Sequence, residues 1–306
     1  MKMQKLVLAT VVAGLAASGS LNAATLYEED GLTLDLKGDY QIQAFQPIGN
    51  DEDLDINYDD LELKFGAAYD LGKNMEAFGQ LDVDWKNQGD GSDDDVVDEA
   101  YVGVDYGTGT ISAGRLYWGS DDFATDMSVE MAASNAFPET GGNESIKLTF
   151  DAGPAEFAFS TDLSSDSNEN GVSDDSVYDL AVYGEFANVN AGLVYQSYKA
   201  DDNADSLDTI GVRGEFEFNN IEIGVDYSTN DNLDATNIAA GFPIAANTSG
   251  AVGAGFISPD VGEDYTQWYA NIGHDLHKNV EIFAEIGDND QDGNDMGYLG
   301  GMKVKF

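Results

Sequence analysis

Carboxylates are the one kind of reactive group this chain holds in quantity. Of its 306 residues, 58 are Asp or Glu, against 13 Lys or Arg, two His and no Cys, for a formal net charge of −45. Such a surface repels nucleic acid. Without cysteine there is no disulfide scaffold, thiol nucleophile or thiolate metal site. The two histidines, His274 and His277, sit in "GHDLHKN" with no serine beside them, so a hydrolytic triad lacks its parts. The acids are too numerous for any one pair to read as a glycosidase couple. What remains is carboxylate chemistry with cations: oxygen ligation of hard ions, or a negative field that concentrates them. "DNDQDG" (288–293) starts like a calcium loop through Asp288, Asp290 and Asp292. Position twelve of that pattern is Leu299 rather than Glu, so it is no EF-hand. A weakly held Ca²⁺ or Mg²⁺ is the most it promises, and no other cofactor is expected.

The elements that position these acids begin with an address. Residues 1–23 read as a secretory signal peptide, with Lys2 and Lys5 ahead of an apolar run from Leu6 to Ala17. Cleavage fits after Ala23, or after Ala24 because Leu21 is an imperfect match. A membrane anchor is the competing reading, but the run is shorter than the ~20 residues a spanning helix needs. Residues 24–306 then form the mature domain.

Within that domain, hydrophobicity alternates with period two. Leu32, Leu34, Leu36, Tyr40, Ile42 and Ala44 share one parity; Thr33, Asp35, Lys37, Asp39, Gln41 and Gln43 share the other. The run exceeds the ~5–6 residues of an ordinary strand and suits a tilted strand crossing a bilayer. Similar stretches recur to the last, Tyr298, Met302, Val304 and Phe306. Short connections such as "DLGKN" (70–74) and "NN" (219–220) alternate with long ones such as 119–144 and 229–262. That alternation predicts an all-β, transmembrane antiparallel barrel, apolar outside and wet inside. Fourteen strands can be counted; 229–262 has room for one more hairpin, which makes sixteen. The competing architecture is a secreted β-sandwich or β-helix, and with it a surface Ca²⁺-binding adhesion or structural protein.

Three stretches carry a family resemblance. "ATLYEEDGLTLDLKGDY" at the mature start, "EAYVGVDYGTGTISAGRLYWGSDD" (99–122) and "FPETGG" (137–142) resemble the general porins of the Gram-negative outer membrane. The terminal Phe306 resembles the signal read by the barrel assembly machinery. The resemblance implies sixteen strands, a homotrimer, and passive diffusion of small hydrophilic solutes through a water-filled pore. It also implies a constriction loop at 119–144, folded inward after the fifth strand.

In that family acids on the loop face bases on the wall. Glu139 matches the acidic tip; Asn135 stands where a second acid is expected, and Asp122, Asp126 and Glu130 are further loop acids. Arg115 matches a wall arginine. Strict alternation from Ile111 and Ala113 aims it at lipid, which costs ~2–4 kcal/mol at the midplane, so a bulge near Gly114 or an end to the strand is expected, with a rim arginine the plainer alternative. The other basic positions fall on or near Asp39, Asp60 to Glu62 with Lys64 the nearest base, and Asn143 or Glu144. Acids in place of bases imply a pore that prefers cations. Aromatic residues such as Phe78 or Tyr101 leave open a substrate-selective sliding track. The acidic outer loops, among them "DGSDDD" and "SSDSNENGVSDD", have three readings. They bridge through divalent cations to lipopolysaccharide, they reflect a saline habitat, or they are simply solvated.

Overall fold

The structure, a computed structural model, describes residues 24–85, 96–163, 176–186, 188–200 and 204–306. The expected signal peptide at 1–23 lies outside the described residues, as do the acidic runs at 90–95 and 164–175.

The described chain is almost wholly β. The strands in order are β1 (Ala24–Glu29), β2 (Leu32–Gln46), β3 (Asp55–Gly72), β4 (Met75–Asp84), β5 (Val97–Asp105) and β6 (Thr110–Tyr117). Next come β7 (Gly141–Ala152), β8 (Ala155–Asp162), β9 (Ser176–Phe186), β10 (Val189–Lys199), β11 (Leu207–Phe218) and β12 (Ile221–Thr229). The last five are β13 (Leu233–Ala245), β14 (Thr248–Pro259), β15 (Tyr265–His277), β16 (Val280–Asn289) and β17 (Gly297–Lys305). Each strand from β2 onward pairs antiparallel with the next. The last, β17, returns to β2 in a ladder from Tyr298↔Gln46 to Lys305↔Asp39, which closes a barrel of sixteen strands. The short β1 takes the remaining edge of β2, from Ala24↔Leu36 to Glu29↔Leu32. Closure leaves no open edge, the condition for a backbone in lipid.

The count of sixteen replaces fourteen, and the missing hairpin is β13–β14, inside 229–262. Its alternation is blurred because most of its inward positions are small: Ala235, Ala239, Gly241, Ala251, Gly253 and Gly255, with Asn237 and Ile257 among the larger exceptions. Small residues there make room for a loop. A Cβ on Gly255 would lie 2.2 Å from the Cβ of Ala133, and one on Gly241 would lie 2.9 Å from the sulfur of Met127.

The two faces separate as the alternation requires. Tyr40, Ile42, Phe65, Leu81 and Val102 are exposed on the outer face, while Lys37, Asp39, Gln41 and Gln43 are buried within the barrel. The short turns gather at one end. Asn219 and Asn220, both at positive φ, make the tight β11–β12 turn, as Lys73 and Asn74 do between β3 and β4.

Candidate functional site

The segment from 118 to 140, between β6 and β7, lies inside the barrel. It opens with a single 3-10 turn at Asp121–Phe123 and then runs without regular structure. Such a segment must satisfy its backbone groups elsewhere. The wall supplies the partners, and three buried carboxylates lead. Glu285 on β16 accepts the N–H groups of Val129, Glu130 and Met131 at 2.7, 2.8 and 2.9 Å. Asp226 on β12 accepts both the N–H and the hydroxyl of Thr125, at 3.0 and 2.8 Å. Asp179 on β9 accepts the N–H of Gly119 at 3.0 Å.

Neutral groups continue the tether. The N–H of Ala136 donates to Ser228 Oγ at 2.9 Å, and that of Met127 to the Tyr269 hydroxyl at 2.6 Å. Gln267 donates to the carbonyls of Met131 and Ala132, and Asn271 to that of Met127. Apolar anchors match these bonds. Phe123 and Phe137 meet edge to face with centroids 4.9 Å apart, buried with Ala158, Ala181 and Val194. Met131 is buried with Ala251, Tyr269 and Leu299. The segment therefore leans chiefly on β8 to β17, with a further bond from Gln43 on β2 to Glu130 at 2.9 Å, and leaves most of the wall from β2 to β7 to face the lumen.

On that open wall, charges come in close groups. Lys64 lies 2.7 Å from both Glu62 and Asp82. Lys303 contacts Asp60 and lies 3.4 Å from Asp39. Asp60 reaches the lumen because a register shift between Tyr40↔Leu61 and Ile42↔Tyr58 leaves an extra residue on β3. Asp59, its neighbour in the bulge, accepts from Gln41 at 2.7 Å. Beside the loop, Arg213 on β11 pairs with Glu215, donates to the Asp122 carbonyl and lies 5.7 Å over the Tyr183 ring. Asp121 is within reach of water, yet crowding by the loop and wall and the adjacent Asp122 pushes its carboxyl up to about 6.

The sequence-derived residues divide accordingly. Glu139 is exposed near the end of the loop, and its carbonyl accepts from Gln196 at 2.8 Å. Asp122 is likewise exposed in the loop. Asn135 and Asp126 serve local turns: Asn135 accepts from the N–H of Phe137, and Asp126 from Ser128. Asp39, Glu62 and Lys64 are on the lumen wall as expected from their parity. Glu144 is not a wall group of the lumen. It is exposed beside the inward Ser145, at the long-loop end of β7.

Arg115 needs correction. Gly114 has φ +137 and the β6–β7 register does shift there, but the extra residue belongs to β7. Against β5 the ladder runs unbroken, Arg115↔Ala100 and Ala113↔Val102, and Val102 is 67 % exposed on the outer face. Arg115 keeps the outer parity, and Arg213 is the arginine inside. The calcium-like trio is corrected too. Asp290 accepts the Thr266 N–H at 2.7 Å and Asp288 that of Asn289, so the carboxylates of Asp288, Asp290 and Asp292 do not converge. Phe78 and Tyr101 meet edge-on with centroids 6.3 Å apart, and Phe78 covers Gly103; they pack on the wall rather than extend as a track.

A closed sixteen-strand barrel with a tethered inward loop has clear relatives. The family model for Gram-negative porins matches residues 9–294. The chain belongs to the Gram-negative porin family. Porin-like protein H of Photobacterium profundum is 27% identical over 95% of this chain and 97% of its own length. A monosaccharide porin of Halomonas is 26% identical over 95% of this chain and 86% of its own. Among solved structures, a loop-deleted OmpT of Vibrio cholerae superposes with a TM-score of 0.76 at 17% identity, covering 90% of this chain and all of that one. An anion-selective porin from Comamonas acidovorans gives 0.73 at 13% identity, covering 90% of this chain and all of its own. This porin is accordingly an outer-membrane protein of Gram-negative type, and its exposed apolar face is the lipid face. No helix among its described residues is long and apolar enough to span; the strands do the crossing.

Proposed function

We propose that this porin is a passive channel for small hydrophilic solutes and ions, that it prefers cations, and that it works as a homotrimer. One observation carries the ion preference. Three inside bases, Lys64, Lys303 and Arg213, each contact at least one carboxylate: Glu62 and Asp82, Asp39 and Asp60, and Glu215 respectively. Further inward bases, among them Lys37 and Lys147, are outnumbered by wall acids such as Asp39, Glu62, Asp82, Asp179, Asp226 and Glu285. Paired bases contribute little field of their own, and the surplus acids set the potential of a low-dielectric passage. The loop sets the bore by leaning on one side of the wall. The solute diffuses down its gradient and no bond is made or broken. A TM-score of 0.69 to a trimer form of OmpT supports the trimer. The acidic outer loops suit bridging to lipopolysaccharide through divalent cations, and Phe306 suits recognition by the assembly machinery.

Swelling of proteoliposomes tests the channel. Uncharged sugars should enter at rates that fall steeply with size, and cationic amino acids faster than anionic ones of equal size. Rates equal to those of protein-free vesicles would overturn the channel, and faster anions would overturn the preference.

A further inference from the structure

We propose that Glu62, Asp82 and Asp98 form a calcium site on the lumen wall, with the Lys64 ammonium as its built-in competitor. One carboxylate oxygen from each of these three residues lies within 4.8 Å of the other two. Oxygens that ligate one Ca²⁺ at about 2.4 Å are at most ~4.8 Å apart, so the three are close enough to share an ion.

Three observations set this cluster apart from the acids of the loops. A bulge builds it. The pairings Asp82↔Glu99 and Val83↔Val97 skip Asp98, which turns its carboxylate toward Glu62 and Asp82 although its sequence neighbour Glu99 also faces inward. Tyr117 fixes the outer side of Asp98, donating to Oδ1 at 2.6 Å. Second, Asp82 is fully buried, and apart from its contact with Lys64 neither of its oxygens has a hydrogen-bond partner. Its Oδ1 is thus a buried acceptor left open, while Oδ2 has the Lys64 ammonium. Third, a cation already sits at the spot. Lys64 Nζ is 2.7 Å from Glu62 and from Asp82, yet one ammonium leaves two of the three negative charges unmatched. The Lys64 and Glu62 side chains are 27% and 19% exposed, so the ammonium has room to swing into the lumen and water has room to complete the coordination.

Calorimetric titration of Ca²⁺ into the folded protein in detergent tests this. Roughly 0.3 M KCl would screen the exposed loop acids. One saturable site is expected. Asp98→Asn should weaken it by about tenfold or more, since even outer-shell partners are worth that much. Lys64→Met should tighten it by a similar factor, a gain that misfolding does not produce. Asp290→Asn should leave it unchanged. No saturable site, an Asp98→Asn protein that binds as wild type, or a Lys64→Met protein that binds no tighter would each overturn the proposal. The readout is binding alone, so it stands apart from the ion preference of the channel.

Discussion

The Glu285 carboxylate accepts the backbone N–H of Met131, 154 residues earlier, at 2.9 Å, and the same carboxylate also holds Val129 and Glu130. One wall acid thus fixes the middle of the inward loop. Hydrogen bonds to a charged group are worth about 1.5–3 kcal/mol each. Glu285→Ala should therefore leave the barrel folded but free the loop. Single-channel recording should show larger steps with added flicker. Conductance and noise equal to wild type would mean that the tether does not govern the bore.

Packing should matter as much as the tether. A Cβ at Gly255 meets Ala133 at 2.2 Å, so Gly255→Val must push the loop away from β14. Overpacking of this kind costs about 1–3 kcal/mol. The expected outcome is an altered conductance without any change of charge, and with ion selectivity close to that of wild type.

The two arginines should behave differently. Arg213 contacts Glu215 and the loop carbonyl of Asp122, whereas Arg115 keeps the outer parity opposite Ala100. Arg213→Ala should raise the preference for cations, read as a larger reversal potential in a salt gradient. Arg115→Ala should leave that potential where it was. The reverse pattern would restore Arg115 as the pore's counter-charge.

Much of this was legible in the chain. The parity of β2 placed Asp39, Gln41 and Gln43 inside and Tyr40 and Ile42 outside, because a strand admits only two directions. The β13–β14 hairpin was obscured by its own function, since making room for the loop reduced most of its inward positions to Gly and Ala. Lys303 is 243 residues from Asp60 and meets it only because β17 closes on β2. Asp179, Asp226 and Glu285 look in sequence like any other lumen acid. What makes them tethers is a loop with no regular structure, whose N–H groups need acceptors. The facing of Arg115 turned on which strand carries the extra residue of a bulge, a matter that spacing along one strand does not contain.

Closure at β17 offers a stability test. Gly38 exchanges backbone hydrogen bonds with Phe306, whose ring lies 5.4 Å from that of Tyr40. A Cβ at Gly38 would meet that ring at 2.6 Å and the Glu62 carbonyl at 2.7 Å. Gly38→Val should lower the temperature at which the folded form is lost in detergent gels and reduce the amount assembled. An unchanged transition would show that the seam tolerates a side chain.

Selectivity should also follow pH. The Asp121 carboxyl is pushed up to about 6, so it is charged at pH 8 and mostly neutral at pH 5. The preference for cations should fall as pH drops through 6, before the ordinary carboxylates titrate near ~4. In Asp121→Asn the step near 6 should be missing. A profile that keeps this step in the variant would assign it to another group.

The most direct test of the account is the reversal potential of single channels in a KCl gradient across a planar bilayer. Stepwise conductance with a potential directed toward cation selectivity is the expected result. A potential of the opposite sign would contradict the reading of the lumen, because it would mean that Lys64, Lys303 and Arg213 dominate the acids they contact.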